Sequence, residues 1–306
     1  MPKPDPSMSH KNAPLLPPDL MRKLDRLDVL ARRVLPGTLH GQRPGKRKGQ
    51  SIEFADYRPY AVGDDLRFID WNLYARLDRL IVRLFMQEED LSVSVLLDTT
   101  ASMDWGLPNK LLYAKRLAAA LGYVALARHH RVHLYSLTDR VADQLVNLRG
   151  RQPVPRMLTF LQSQTPDAAG SLDQACRRFA SNQRQRGVVI LVSDFLEKQG
   201  VTDALRHLTS KPNDVYAIQL LAPQEIHPDT GVIRGDLRLL DCEDGSSTEV
   251  FVDPALLKAY EAQLTAHRNQ VFQACAKRGI VYMTGDTATP LDTLVLRYMR
   301  QTHLLG

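Results

Sequence analysis

The chain has 306 residues, of which 44% are hydrophobic, and its formal net charge is +6. This length suffices for one large domain or two small ones. Its three cysteines form no CxxC pair, so neither a disulfide framework nor a zinc ribbon is indicated. The most apolar helical run, residues 117–127, is shorter than the ~20 residues that cross a bilayer, and the N-terminus lacks a signal-peptide core. These features predict a cytoplasmic protein without a membrane span.

Basic residues are concentrated near the N-terminus. Residues 1–50 contain eleven Lys/Arg and four Asp, a net charge of +7, whereas the remaining residues carry 29 basic and 30 acidic side chains. A nearly neutral body does not favour nucleic acid as a partner. The basic loop at 41–50, "GQRPGKRKGQ", contains GxxxGK, which is one residue short of a P-loop, and is interpreted as a solvated loop. Weak nucleic-acid binding through this N-terminal segment remains an alternative.

The N-terminal elements are predicted as follows. Residues 1–18 contain six prolines and are predicted to form a disordered tail. Residues 19–35 indicate a helix and residues 36–50 a loop. The next stretch, 53–76, reads "EFADYRPYAVGDDLRFIDWNLYAR" and contains five carboxylates and three arginines.

Within this stretch, Asp64 and Asp65 follow Gly63 and raise the hypothesis of a metal-binding or acid/base pair. The arginines in the stretch lower the pKa of such carboxylates, which makes them poor proton donors at neutral pH. We therefore interpret residues 53–76 as an ion-paired structural corner or a partner surface. The arginines concerned are Arg58, Arg67 and Arg76.

From residue 91 onward, apolar strands alternate with helical stretches. The strands are predicted at 91–98, 131–137, 140–148, 187–195 and 214–221, and the helices at 109–130, 153–163, 171–183 and 201–209. This βαβα alternation predicts a parallel sheet with helices on both faces.

The C-terminal region has a different pattern. Residues 237–253 contain two alternating segments around "EDGSS", which predicts a β-hairpin. Asp253-Pro254 indicates the start of a helix that Gly279 ends, and a strand at 280–285 and a helix at 291–301 follow.

The predicted fold class is therefore α/β, with a doubly wound, mostly parallel sheet, a small β-hairpin and an N-terminal helical and irregular segment. The predicted organisation is a tail (1–18), an N-terminal segment (19–90) and a sheet domain (91–306).

Two predicted strands end in aspartates, and ligands of open parallel sheets bind beyond the carboxyl ends of strands where the strand order reverses. If these strands are neighbours, Asp98 and Asp194 share one crevice. The motif DTTAS at 98–102 adds hydroxyls two and four residues beyond Asp98, and a loop-to-helix junction adds Ser171. Such an all-oxygen set suits Mg²⁺ or Mn²⁺ and is poor for zinc. The candidate metal ligands are Asp98, Thr100, Ser102, Ser171 and Asp194.

This set resembles the metal-ion-dependent adhesion site (MIDAS) of von Willebrand factor A domains, D-x-[ST]-x-S followed by a later hydroxyl and an aspartate. The resemblance implies that hydroxyls contact the metal, that the aspartates bind it directly or through water, and that a partner's Asp or Glu completes the shell. This sequence has Thr100 where Ser is usual and Ser171 where Thr is usual. Thr165 is an alternative to Ser171.

Residues 53–76, followed by "DTTASM" and later by "LLDCEDG", resemble the bacterial domain-of-unknown-function 58 family over about residues 35–300. The resemblance implies a von Willebrand A-like fold and an accessory or adaptor role beside a MoxR-type AAA ATPase or a neighbouring von Willebrand A protein.

The sequence contains no HExxH pair and no GxSxG elbow. The main hypothesis is therefore a non-enzymatic, metal-dependent protein-interaction module. A Mg²⁺- or Mn²⁺-dependent phosphoesterase, using the same carboxylates, is the alternative.

Overall fold

The computed structural model describes residues 14–29, 53–86, 91–138, 140–166, 170–183, 186–197, 200–228, 235–240, 247–302 and 304–306. The chain forms two compact units, Leu35–Asp90 and a larger unit of Met1–Val34 with Leu91–Gly306. The basic loop at 41–50 and residues 1–13 of the predicted tail lie outside the described residues. Within the described parts, no helix is both long and apolar enough to cross a membrane.

Helices and strands alternate along most of the described chain. In order, they are α1 (Pro18–Leu24), β1 (Glu53–Pro59), α2 (Trp71–Leu77), β2 (Ile81–Met86), β3 (Ser92–Asp98), α3 (Lys110–Ala127), β4 (Arg131–Leu137), β5 (Val141–Arg149), α4 (Val154–Ser163), α5 (Leu172–Asn182), β6 (Gly187–Ser193), α6 (Val201–Leu208), β7 (Asp214–Leu221), α7 (Pro223–Ile226), β8 (Gly235–Leu240), β9 (Ser247–Val252), α8 (Pro254–Ala276), β10 (Val281–Asp286), α9 (Leu291–Thr293) and α10 (Met299–Gln301). Short 3₁₀ helices cover Leu66–Phe68 and Ala101–Met103.

The larger unit is built on a six-stranded sheet with the order β10-β7-β6-β3-β4-β5. Neighbouring strands are parallel, apart from β5, which runs antiparallel to β4 at one edge. The predicted α/β class and mostly parallel sheet are therefore confirmed. All seven residues of β3 are buried, as expected for a strand that is covered on both faces.

Helices cover both faces of this sheet, and the period-two alternation of the strands supplies a hydrophobic core on each side. Val95 and Leu97 pack with side chains of α1, α3 and α4. Leu96, between them, packs with side chains of α5, α6 and α8. The doubly wound arrangement places the carboxyl ends of the central strands between two helical layers.

The N-terminal segment differs from its prediction. Helix α1 ends at Leu24, and Val29 forms a β-bridge with Leu305 instead of continuing the predicted helix. Leu15 and Leu16, within the predicted tail, are buried. Leu15 and Leu16 therefore pack into the larger unit despite the neighbouring prolines. The packed part of the chain begins before residue 18, where the tail is predicted to end.

The C-terminal elements follow the predictions except at the end. Strands β8 and β9 form the expected antiparallel hairpin, whose turn at 241–246 lies outside the described residues. Asp253 caps α8, because its Oδ1 accepts a hydrogen bond from the Leu256 backbone N–H at 2.7 Å. The single helix predicted at 291–301 is broken by a π-helical turn at Leu294–Tyr298 between α9 and α10.

The smaller unit is an antiparallel pair, β1 and β2, with a 3₁₀ turn and α2 between them. Asp64 accepts hydrogen bonds from Arg58 Nη2 at 2.7 Å and from the Ala61 N–H at 2.9 Å. Asp65 forms an ion pair with Arg67, with Nη2–Oδ2 at 2.5 Å. These contacts confirm the prediction of an ion-paired corner. The arginine hydrogen bonds lower the pKa of Asp64 and reduce that of Asp65 to about 2.

Asp70 joins α2 to β2. Its Oδ1 accepts from the backbone N–H groups of Asn72 and Leu73 at 3.0 and 3.1 Å, which caps α2. Its Oδ2 accepts from Arg83 Nε at 2.8 Å and from the Tyr57 hydroxyl at 3.3 Å. The hydrogen bond from Arg83 reduces the pKa of Asp70 to about 2. Arg83, rather than the predicted Arg76, forms the ion pair with Asp70.

We predict that Asp70→Asn loosens α2 and β2. An amide has only one acceptor oxygen, so in either orientation its NH₂ group faces N–H donors. Hydrogen–deuterium exchange of residues 71–77 and 81–86 should accelerate by about tenfold or more. Asp78→Asn is the matched control, because Asp78 adopts a φ of 50° that asparagine tolerates. Equal exchange in the two variants would contradict the joining role of Asp70.

Candidate metal centre

The strand order reverses between β3 and β6, since β4 and β5 lie on one side of this pair and β7 and β10 on the other. Leu97 of β3 is in register with Val192 of β6. Asp98 and Asp194, which follow these residues, therefore emerge at the same edge of the sheet. Strands β3 and β6 are therefore neighbours, as the predicted crevice requires. The crevice lies at the position where open α/β sheets bind ligands.

Asp98 is held by a turn of its own sequence. Its Oδ1 accepts hydrogen bonds from the Thr100 backbone N–H at 3.0 Å and from the Thr100 hydroxyl at 2.7 Å. This is the local bonding that an aspartate favours with the residue two positions on. The Thr100 and Ser102 hydroxyls lie 3.0 Å apart. From β6, the Ser193 hydroxyl donates to Asp98 Oδ2 at 2.5 Å.

Asp98 is 4% exposed, and its carboxyl group has a raised pKa of about 6. Burial is the main cause, because a charged carboxylate loses its hydration, and the nearby Asp194 charge adds to the effect. The hydrogen bonds from Ser193 and Thr100 act in the opposite direction. Burial therefore destabilises the charged form of Asp98 at neutral pH, and a cation in the crevice would stabilise that form.

Asp194 has a cationic neighbour that the sequence analysis missed. Lys110, which is 1% exposed, donates from Nζ to Asp194 Oδ2 at 2.7 Å and to Glu225 Oε1 at 2.6 Å. Asp194 Oδ1 accepts from the Leu196 N–H at 3.1 Å. Both oxygens of Asp194 are thus engaged, and its role as a direct metal ligand stays a prediction.

One sequence signal could have pointed to the pairing of Lys110. A lysine in the first turn of a helix opposes the helix dipole. Lys110 is the first residue of α3 and begins a strongly apolar helix. That combination favours a buried acidic partner, but it does not identify Asp194 or Glu225.

The carboxyl ends of the strands form a small cleft with a volume of about 10 Å³, close to the space that one water molecule requires. Its lining residues are Asp98, Thr100, Ser102, Gly170, Leu172, Ser193, Asp194, Phe195 and Glu197. Four of the five predicted ligands are therefore brought together.

The fifth predicted ligand, Ser171, lies between two lining residues and directly precedes α5, where its side chain makes no capping hydrogen bond. The alternative, Thr165, is exposed and outside the cleft. Glu197, which the sequence analysis did not single out, accepts from the Leu172 N–H through Oε2 at 3.1 Å.

The donor chemistry of the cleft fits a small, hard divalent cation. Asp98, Thr100 and Ser102 present a continuous series of oxygen atoms, the ligand type that Mg²⁺ prefers. The cleft lining includes three carboxylates, Asp98, Asp194 and Glu197, and Lys110 pairs with Asp194 and Glu225, so a net negative charge faces the cleft. Among the described residues, no group of three or more His, Cys, Asp or Glu side chains is arranged to hold a metal. Binding would therefore depend on the hydroxyl groups.

We predict that, in the metal-free protein, the stability of Asp98→Asn relative to the wild type increases by roughly 2–3 kcal/mol between about pH 4 and pH 8. Below the unfolded pKa of 3.8 the carboxyl group is protonated in both states and costs nothing, whereas above the folded pKa of about 6 its burial as an anion is fully unfavourable. Denaturant unfolding in EDTA between about pH 4 and pH 8 measures this difference. Asp104→Asn, at an exposed position nearby, should show no such trend. A stability difference independent of pH would contradict the raised pKa.

Comparison with known proteins assigns the chain to a family. Uncharacterized proteins from Mycobacterium tuberculosis and Mycobacterium bovis are each 29% identical to this chain over 260 residues, which cover 83% of this chain and 80% of each relative. Among solved structures, the conserved hypothetical protein BatB from Bacteroides thetaiotaomicron matches with a TM-score of 0.43 and 15% identity, covering 69% of this chain and 98% of that one.

An aerotolerance-related membrane protein from Bacteroides fragilis also has a TM-score of 0.43 and 15% identity, covering 70% of this chain and 98% of the other. The family described as "Protein of unknown function DUF58" matches residues 56–270, which is more than half of the chain. The chain belongs to this family.

Proposed function

We propose that this protein is a non-enzymatic interaction module of the von Willebrand A type, in which the cleft at Asp98 binds Mg²⁺ or Mn²⁺. The bound ion then accepts a carboxylate from a partner protein. The observation that carries this proposal is the series of oxygen atoms from Asp98 through Thr100 to Ser102, which lies at the reversal of strand order and faces a cleft of ionic size.

The residues of the cleft would have different roles in binding the ion. Asp98 and the hydroxyls of Thr100 and Ser102 would contact the ion. Asp194 would contribute negative charge while it remains bonded to Lys110. Ser171 remains the proposed additional hydroxyl, because the residues on either side of it line the cleft. Mg²⁺ usually keeps several exchangeable waters, and a partner carboxylate could replace one of them.

The proposed partner is a MoxR-type AAA ATPase or a neighbouring von Willebrand A protein. The resemblance to the domain-of-unknown-function 58 family implies these partners, and the chemistry of the site requires only that the partner present an Asp or Glu. The role would be that of an adaptor or accessory protein in a chaperone-like ATPase system. The partner's carboxylate would complete the metal shell, so binding would depend on both the ion and the acidic residue.

The two other hypotheses gain no specific support. The phosphoesterase alternative would use the same carboxylates and stays a prediction that a turnover assay with Mg²⁺ or Mn²⁺ can test. The segment proposed to bind nucleic acid, residues 41–50, lies outside the described residues.

We predict that Mg²⁺ stabilises the wild-type protein through Asp98. At a tenfold excess over Kd, a ligand of the folded state adds about 1.4 kcal/mol, which should raise the Tm by about 3–6 °C. Thermal melts at millimolar Mg²⁺ and in EDTA measure this shift. The shift should disappear in Asp98→Asn and persist in Asp104→Asn, which removes the same charge at an exposed position. An equal shift in all three proteins, or none in the wild type, would contradict the metal site.

The same three proteins test the partner. A MoxR-type ATPase from the same cells should be retained by immobilised wild type and Asp104→Asn in Mg²⁺, and released by EDTA. Retention that survives both EDTA and Asp98→Asn would show that association does not pass through the proposed ion.

A further inference from the structure

A second cavity lies in the larger unit, at the contact between α1, α3 and α9. Its volume is about 370 Å³, within the range of small-molecule sites. Its lining residues are Pro14, Leu15, Pro17, Asp19, Leu20, Lys23, Arg116, Leu291 and Asp292. None of them lines the cleft at Asp98. Five of the nine lining side chains are apolar and four are charged.

Arg116 of α3 is the unusual member of this lining. Its Nε is buried and has no hydrogen-bond partner. No ion pair or hydrogen bond of its guanidinium is found within the described part of the chain. Burying an N–H donor of a charged group without an acceptor is costly. Such a group is well suited to bind an acceptor that enters the cavity.

The other charges of the cavity are already balanced in pairs. Lys23 Nζ lies 3.0 Å from Asp292 Oδ2, and Asp19 pairs with Arg22. Neither carboxylate is bonded to Arg116. Arg116 is thus the charged lining residue whose buried Nε has no partner among the described residues, and this free donor beside apolar walls favours a small anion with an apolar body.

We propose that this cavity binds a small amphipathic carboxylate, with its head group on Arg116 and its aliphatic chain along the apolar walls. A planar carboxylate matches the fork of a guanidinium and accepts two parallel hydrogen bonds from it. The walls that contact the chain are supplied by Leu15, Leu20 and Leu291, together with Pro14 and Pro17. This site is independent of the proposed metal centre, and the failure of either leaves the other intact.

Calorimetric titration with octanoate tests the proposal on the full-length protein. Octanoate should bind saturably, and 1-octanol, which has the same chain without the charge, should bind at least about tenfold more weakly. Arg116→Gln should weaken octanoate binding by about tenfold or more. Arg156→Gln, at an exposed arginine of α4 outside the cavity, should leave octanoate binding unchanged.

Two further variants keep the test decisive if Arg116→Gln disturbs the fold. Leu291→Trp retains Arg116 but fills the cavity, so it should abolish octanoate binding while the circular dichroism spectrum stays that of the wild type. Arg116→Met should raise the Tm of the ligand-free protein, because an apolar chain replaces a buried N–H donor that has no acceptor, and should lose octanoate binding.

Three outcomes would overturn the proposal. They are the absence of saturable octanoate binding, equal affinities for octanoate and 1-octanol, and undiminished octanoate binding by a folded Arg116→Gln protein.

Discussion

The buried ion pair of Lys110 with Asp194 and Glu225 is the interaction on which the site depends. It ties the start of α3 to the end of β6 and to α7, across separations of 84 and 115 residues. One ammonium group cannot neutralise every carboxylate at this edge of the sheet. Among the described residues no cation pairs with Asp98, and its burial favours the protonated form; a metal ion at the proposed site would instead stabilise the anion.

Two aspartates of the smaller unit and Asp98 at the edge of the sheet have pKa values shifted in opposite directions. In the smaller unit, Asp65 and Asp70 are hydrogen-bonded by Arg67 and Arg83, and their pKa values fall to about 2. In the sheet, burial and a neighbouring anion raise the pKa of Asp98 to about 6. Aspartate is thus held as an anion in the smaller unit, whereas at the sheet edge the ionisation of Asp98 is sensitive to its surroundings. This contrast separates structural acids from a candidate metal ligand.

Sequence reasoning succeeded where the determining interactions are local. The strands at β3 and β6 are marked by continuous apolar runs, and the geometry of Asp98, Thr100 and Ser102 arises within five residues. It missed Lys110 and Glu225, because their partners are distant in sequence. It also missed β1 and β2, because charged residues in 53–86 interrupt any clear alternation. The predicted helix at 19–35 ended early because tertiary pairing of Val29 with Leu305 prevailed over helix propensity.

The central claim is that a divalent ion binds at Asp98, and the most direct test is anomalous diffraction from crystals soaked in Mn²⁺. The account predicts an anomalous peak within coordination distance of the Asp98 carboxylate and of the Thr100 and Ser102 hydroxyls. The same soak of Asp98→Asn crystals should give no peak there. A peak bounded by other residues, or none in wild-type crystals at saturating Mn²⁺, would contradict the account.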